Sequence, residues 1–229
     1  MKQIRTLKST KDEEDIKALY KAHYWAPGES DIFEAPSDHL YHFSTYIGEH
    51  TITVEKGDCV YLLDDKKQNV SVHKGPKKIT SSHWGIVIRG FMPPDQTVSI
   101  EGLPHLPYVN GCSTKQLIYP PRPGDPTLQY LNIPAHSAEQ AHHIHSTVRV
   151  VYVLKGKGVS IVGMEGKQHR EELIPGKVCI LEPMCPHHFE TPFDESLVVI
   201  PLHVFSSASS FENQHPMYSG TFLMNQGSR

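Results

Sequence analysis

From residue 39 onward the chain consists of short apolar runs that Gly, Pro, Asn and Asp separate at fairly even intervals. Runs with a period of two are typical of strands, and many short strands at even spacing are typical of a β-sandwich or barrel. The pattern therefore predicts an all-β fold. The predicted strands are 40–46, 51–55, 58–63, 69–73, 85–89, 97–101, 115–119, 127–133, 148–154, 158–163, 170–174, 178–182, 187–191 and 196–204.

One segment near the start of the chain has the period of a helix instead. Thr10 and Glu13 fit a capping box, and four acidic residues fill the first turn. Pro27 follows the segment and cannot continue a helix. We therefore predict a helix over residues 9–25. The residues that recur at helical spacing are Ile16, Leu19, Tyr20 and His23.

Residues 119–126, with the sequence YPPRPGDP, form the densest group of turn-forming residues. They are the natural boundary between an N-terminal and a C-terminal half. The prediction is a helical segment over 1–30, a β domain over 31–120, a β-barrel over 121–206 and a polar tail over 207–229.

The composition narrows the class of protein. The chain has 229 residues, 38% hydrophobic and 21% charged, which suits a folded protein, and its net charge of −3 gives no basic face for nucleic acid. We find no apolar run of signal-peptide or membrane-span length, so we expect a cytoplasmic protein without membrane contact. Four cysteines without C-x-x-C spacing indicate free thiols. Cys179 and Cys185 are expected to be unreactive, because a buried, inert cysteine is commoner than a reactive one.

Histidine is over-represented, with 16 residues, and many of them lie in the second half. His143 and His145 form an H-x-H pair, and residues i and i+2 of a strand point to the same face. His187 is the candidate for a third ligand, whereas His142 and His188 are expected to face away by the same alternation. Three neutral imidazoles leave open positions on a divalent ion, as catalytic sites do.

These histidines lie in two segments that resemble the motifs of the cupin family. That family's first motif is G-x5-H-x-H-x3,4-E-x6-G, and its second is G-x5-P-x-G-x2-H-x3-N. Residues 143–156 fit the first in spacing from its first histidine onward, and residues 176–187 fit the second in spacing and final histidine. The resemblance covers residues 127–204 and implies a double-stranded β-helix, or jelly-roll barrel. It also implies a metal held by His143, His145 and His187.

The chain departs from the family pattern at several positions. Arg149 stands where the family has its glutamate ligand, and Ser137 stands where the first motif begins with glycine. In the second motif, Glu182 and Met184 replace the usual proline and glycine, and Thr191 replaces the terminal asparagine. The resemblance therefore implies the three-histidine type of metal site, without the fourth ligand.

The N-terminal half has a fainter resemblance to the same motifs. Residues 82–90 resemble the end of a first motif, and residues 106–116 resemble a second motif that has lost its histidine. We therefore predict that residues 31–120 form a degenerate, metal-free cupin-like domain, which would make the chain a bicupin. The alternative is that these strands only extend and cover the one barrel.

Cupins with three histidines and no glutamate resemble gentisate-type, thiol and diketone-cleaving dioxygenases. This implies an iron(II) dioxygenase that acts on a small anionic substrate. The likeness to gentisate-type enzymes is partial, because their substrate-binding arginine falls two residues later, at Val151 here. One alternative is an isomerase, cyclase or lyase that uses zinc, nickel or manganese, and another is a non-enzymatic cupin that binds a small ligand. Copper(II) is a further metal that accepts nitrogen ligands.

Arg149 and Glu182 are the candidate catalytic residues. By strand alternation Arg149 faces the histidines, and at roughly 6 Å from a divalent ion it would be repelled by about 5 kcal/mol. It must therefore pair with a carboxylate such as Glu182 or Glu190, or else anchor an anionic substrate bidentately. Glu182 is the candidate general base or fourth ligand. Glu139 and Gln140 precede the ligand strand and are candidates to support the ligands.

The predicted strand over 148–154 is apolar on both faces. A barrel strand of this kind needs a cover on its outer surface. Either a homodimer or an intramolecular second barrel would provide that cover, and a homodimer is the partner that we predict.

Overall fold

The structure is a computed structural model that describes residues 10–35, 42–102, 104–122 and 124–205. Within these residues the fold is almost entirely antiparallel β-sheet, with one α-helix, α1, over Thr10–Leu19. The all-β prediction is confirmed. The polar tail predicted over 207–229 lies outside the described residues. No helix of the described part of the chain is long and apolar enough to cross a membrane.

The N-terminal half contributes two sheets. Six strands pair in the order β2-β3-β8-β5-β6-β9, and β4 pairs with β7 alone. The strands are β2 (Asp31–Glu34), β3 (Phe43–Ile47), β4 (His50–Val54), β5 (Cys59–Leu63), β6 (Asn69–Lys74), β7 (Lys77–Ser81), β8 (Trp84–Ile88) and β9 (Gln96–Ser99).

The C-terminal half forms the barrel that carries the histidines. Its larger sheet has the order β1-β17-β14-β19-β12-β11-β10, and its smaller sheet has the order β13-β18-β15-β16. The strands are β1 (Ala22–Trp25), β10 (Leu106–Pro107), β11 (Ser113–Ile118), β12 (Thr127–Ile133), β13 (Ser137–Ala138), β14 (Thr147–Gly156), β15 (Gly158–Val162), β16 (His169–Leu173), β17 (Val178–Leu181), β18 (His187–Thr191) and β19 (Leu197–Phe205).

Strand β14 shows how the layers are held together. Val148, Val150 and Tyr152 belong to the core between the seven-stranded sheet and the N-terminal six-stranded sheet. Val151 and Val153 point the other way and belong to the barrel core. Each buried valine contributes about 1.5–3 kcal/mol relative to exposure. The outer face, for which the sequence predicted a cover, is thus covered within the same chain.

The helix prediction over 9–25 is wrong at its C-terminal end. Helix α1 ends at Leu19, Lys21 has a φ of 52°, and residues 22–25 form β1, which pairs with β17. The apolar spacing of this segment fits a helix, but residues 22–25 gain more stability as a strand. Strand β1 pairs with the edge of β17 and buries Ala22 in the barrel core. The side chains of the predicted capping box lie outside the described set.

Sheet membership crosses the predicted domain boundaries. Strand β1 comes from the segment 1–30, and β10 and β11 come from the segment 31–120, yet all three belong to the barrel's larger sheet. The N-terminal sheets also pack directly on the barrel through a shared core. That the N-terminal half is a second, degenerate cupin barrel stays a prediction.

Candidate metal centre

His143, His145 and His187 converge at one end of the barrel. The backbones of His143 and His187 form an isolated bridge, with N···O distances of 3.1 and 2.8 Å in the two directions. This bridge sets the two imidazoles side by side, and His145 follows two residues later. Each of the three histidines offers one ring nitrogen, and these nitrogens lie within 4.8 Å of one another. The structure therefore brings the three predicted ligands together.

Hydrogen bonds to the backbone fix the orientation of two of these rings. His143 Nδ1 lies 2.8 Å from the carbonyl oxygen of Ala141, and His187 Nδ1 lies 2.7 Å from that of Cys185. A carbonyl oxygen only accepts, so Nδ1 carries the proton and Nε2 keeps its lone pair. His143 Nε2 lies 2.8 Å from His145 Nε2, and the nitrogens that the three rings offer lie within 4.8 Å of one another. Such backbone bonds typically orient metal-binding histidines.

Burial keeps the three imidazoles neutral, which is the form that binds a metal. Burial lowers the pKa of His143 to about 4. Burial first, and the Arg149 charge second, hold the pKa values of His145 and His187 far below the ordinary range. A buried set of three neutral imidazoles with aligned nitrogens fits a divalent metal ion such as zinc, iron, nickel or copper.

His142 and His188 face away from the cluster, as the alternation predicted. His142 Nδ1 lies 2.8 Å from His188 Nδ1, and His142 Nε2 donates to the carbonyl oxygen of Gly163 at 2.8 Å. These two histidines therefore form a separate pair and offer no nitrogen to the three-histidine group.

Arg149 lies in the cluster, but its partner differs from the prediction. Its guanidinium forms an ion pair with Glu139, with Nη1–Oε1 3.2 Å and Nη2–Oε2 3.3 Å, and Nη1 also donates to His187 Nε2 at 2.9 Å. The predicted partners Glu182 and Glu190 were wrong. Glu190 instead pairs with Arg170 across the smaller sheet. Glu139 reaches Arg149 because it follows β13 on the barrel's inner side, where its amide bonds to β18.

Glu182 lies on the other face of the barrel's larger sheet. Leu181 pairs with Arg149 and shares its face, so the next residue points to the opposite side. The Glu182 carboxylate accepts a hydrogen bond from His23 at 2.8 Å and lies 3.9 Å from Lys21 Nζ. The expectation that Glu182 is the base or fourth ligand is therefore corrected, because Glu139 is the carboxylate beside the histidines.

A cavity of about 270 Å³ opens beside His145 and Arg149. Its volume is near the lower limit for small-molecule sites, and its wall mixes amides, hydroxyls and apolar groups. The lining residues are Leu106, Tyr108, Thr114, Gln116, Gln129, Leu131, Glu139, Gln140, His145, Arg149, Pro201 and His203.

Two residues that line the cavity, Tyr108 and His203, were not predicted from the sequence. Tyr108 donates its hydroxyl to Gln140 Oε1 at 3.3 Å, and Gln140 Nε2 lies 2.7 Å from His143 Nε2. His203 pairs with Arg149 across β14 and β19, and burial lowers its pKa to about 3. Only the strand register would have revealed His203. No signal in the sequence placed Tyr108 over the barrel.

All four cysteines are buried and free of disulfides, as predicted. Burial raises the pKa of Cys59, Cys179 and Cys185 to about 12 and that of Cys112 to about 11. Thiols with such pKa values stay protonated at neutral pH and are poor nucleophiles. We therefore assign the cysteines to packing.

A comparison with sequence profiles of known families agrees with the barrel fold and the histidine cluster. Residues 129–205 match the sequence profile of the family described as "Cupin domain". These residues contain the three histidines, Arg149 and most of the barrel strands. Residues 129–205 are therefore assigned to the cupin family as a cupin domain within the barrel. A search of curated proteins found no match.

Several solved structures are similar to this chain. AerE from Microcystis aeruginosa has 11% identity and a TM-score of 0.49, with 76% of this chain and 91% of that chain covered. A cupin 2 conserved barrel domain protein from Leptotrichia buccalis has 14% identity and a TM-score of 0.43, with 79% and 91% covered. The formate complex of Lactobacillus farciminis oxalate decarboxylase has 10% identity and a TM-score of 0.46, with 85% and 88% covered.

Proposed function

We propose that this cupin is a metal-dependent enzyme, an iron(II) dioxygenase that acts on a small substrate with a carboxylate group. The observation that carries the proposal is the convergence of three neutral imidazoles, with Nδ1 bonded to the backbone in two of them, beside a cavity that His145 lines. A structural site would close all coordination positions with protein ligands. Here the described residues supply three and leave the cavity side free for substrate.

The residues of the site have separate proposed roles. His143, His145 and His187 would hold the ion, which when bound supplies the redox or Lewis-acid chemistry. Arg149 offers the positive charge of the cavity wall, and Gln140 and Tyr108 supply hydrogen bonds to a polar substrate. Because the cavity has a volume of about 270 Å³, we expect a small substrate.

A non-redox reaction is the second candidate, and one observation favours it. The carboxylate of Glu139 lines the same cavity and is 1% exposed, so a proton acceptor is available beside the histidines. In that case zinc, nickel or manganese would serve, and an isomerase, cyclase or lyase would consume no oxygen. The sequence assigned this role to Glu182, and we now assign it to Glu139.

The test begins with the metal content of the full chain, purified without added metal. We expect about one equivalent of a divalent metal per chain, or its uptake on reconstitution with iron(II) without oxygen. His187→Ala and His143→Ala should abolish this binding. The neighbours His188→Ala and His142→Ala are matched controls that should keep it, because both rings point away from the cluster.

Oxygen consumption then separates the two candidate reactions. The iron-loaded protein should consume oxygen with at least one member of a panel of small carboxylic acids, and the His187→Ala variant should not. A protein that retains zinc and shows no oxygen uptake with any acid would favour the non-redox reaction. A wild-type chain that binds no divalent metal would refute both. The homodimer and the cytoplasmic location stay predictions.

A further inference from the structure

We propose that Glu139 occupies the anion-binding position of Arg149 and that the carboxylate of a substrate exchanges with it. This inference rests on the proposed function, because it concerns the same centre and an anionic substrate. Glu139 is then a positioning residue that sets the charge of the metal centre while the cavity is free of substrate.

The geometry of the ion pair supports an exchangeable contact. The two N···O distances are 3.2 and 3.3 Å, whereas tight charge-assisted bonds measure about 2.7–2.9 Å. Arg149 and Glu139 are 3% and 1% exposed, and both line the cavity. Among the described residues, Arg149 Nε has no hydrogen-bond partner. Because Nε is itself buried, an acceptor that enters through the cavity would bind at Nη1 and Nη2, in exchange for Glu139.

The position of Arg149 couples the pair to the metal centre. Arg149 Nη1 donates to His187 Nε2, which is the nitrogen that a metal ion would use. Glu139 is the carboxylate that neutralises Arg149, and it accepts a hydrogen bond from the same Nη1. Without Glu139, an unbalanced positive charge would lie against the ligands. Without Arg149, an unbalanced negative charge would lie there.

Removal of the two partners should therefore change metal affinity in opposite directions. We expect Glu139→Gln to weaken zinc binding at least about tenfold, because the Arg149 charge then repels the ion. We expect Arg149→Gln to tighten zinc binding by about tenfold or more, because the repulsion disappears and His187 Nε2 is released. The double variant Glu139→Gln/Arg149→Gln should return close to the wild-type affinity.

Anion affinity should change in the opposite sense. Acetate, titrated into the metal-free full-length protein and followed by NMR of the histidine rings, should bind Glu139→Gln about tenfold more tightly than wild type. Arg149→Gln and the double variant should bind acetate no more tightly than wild type. Glu182→Gln is the matched control, because it removes a buried carboxylate on the other face of the sheet and should change neither affinity.

The outcomes separate this inference from the proposed function. Zinc affinities that fall in both single variants would mean that the pair only supports the fold, and the exchange would be refuted. Equal acetate affinity in wild type and Glu139→Gln would also refute it. If Glu139→Gln does not fold, the same test rests on tighter zinc binding by Arg149→Gln and its reversal in the double variant. Failure of the wild-type chain to bind zinc would instead refute the proposed function.

Discussion

Acidification of the metal-free protein tests whether the histidine cluster is buried and neutral. His145 and His187 are 3% and 2% exposed. Burial lowers the pKa of each ring, and the positive charge of Arg149 lowers it further. In the unfolded chain both rings should titrate near the ordinary pKa of about 6.5.

The sign of the pH dependence follows from this difference. Because the folded-state pKa is depressed, the unfolded chain binds more protons below pH 6.5, and stability falls as the pH falls. Each ring that stays neutral when folded costs about 2 kcal/mol between pH 7 and pH 5, so the pair costs about 4 kcal/mol. Burial lowers the pKa of His143 to about 4 and that of His203 to about 3, so each of these rings adds a similar loss of about 2 kcal/mol. The loss is large against a typical domain stability of about 5–15 kcal/mol.

Urea unfolding followed by the fluorescence of Trp25 and Trp84 measures this loss. The protein should be freed of metal with a chelator, and the free energy of unfolding determined at intervals from pH 7 to pH 5. The carboxylate of Glu171 interferes little in this window. A hydrogen bond from His169 lowers the pKa of Glu171 to about 2, so its stabilisation is lost only below the ordinary carboxyl pKa of about 4.3.

A stability that changes by less than about 1 kcal/mol between pH 7 and pH 5 would refute this reasoning, because two buried neutral imidazoles require a loss near 4 kcal/mol. The variant His145→Gln/His187→Gln is the control. It lacks both titrating rings, so its free energy of unfolding should depend less on pH by the same amount, whatever its absolute stability.

Three further substitutions test the roles of individual residues. Glu182→Gln should lower the free energy of unfolding by about 1 kcal/mol, because it weakens the hydrogen bond to His23, and it should leave zinc affinity unchanged. Loss of zinc binding would mean that Glu182 belongs to the metal site. Gly156→Ala should prevent folding in expression and circular dichroism assays, because its Cβ would lie 1.7 Å from the carbonyl oxygen of Ser196 at a φ of +76°. Gly166→Ala, with a φ of +84° and open space around it, should fold with a cost of about 1 kcal/mol.

The strands could be predicted well where alternation and turn residues agreed. Strands 127–133 and 187–191 have the predicted bounds, and most others differ by one or two residues. Asp31–Glu34 and Lys77–Ser81 were missed because their pattern of burial does not show in the sequence as an apolar run. The three histidines were found because motif spacing fixes their place in the barrel, even though residues 144–146 are not regular strand.

The partner of Arg149 could not be predicted by the same reasoning. Alternation placed Arg149 on the inner face, but it says nothing about which residue follows an irregular connection such as the one after Ala138. Glu139 reaches the guanidinium because β13 pairs with β18, and that pairing has no local signature. Glu182 was misplaced for a simpler reason, since the alternation that was applied to β14 was not applied to β17.

The placement of Tyr108 argues that the site cannot be separated from the N-terminal half. Leu106 and Tyr108 come from before the predicted boundary at residue 121, yet both line the cavity, and Tyr108 is linked to His143 through Gln140. The six-stranded sheet covers the apolar outer face of β14, whose inner face carries Arg149. A fragment limited to 121–206 would thus expose that face and open the cavity, so metal binding and substrate selection depend on the chain as a whole.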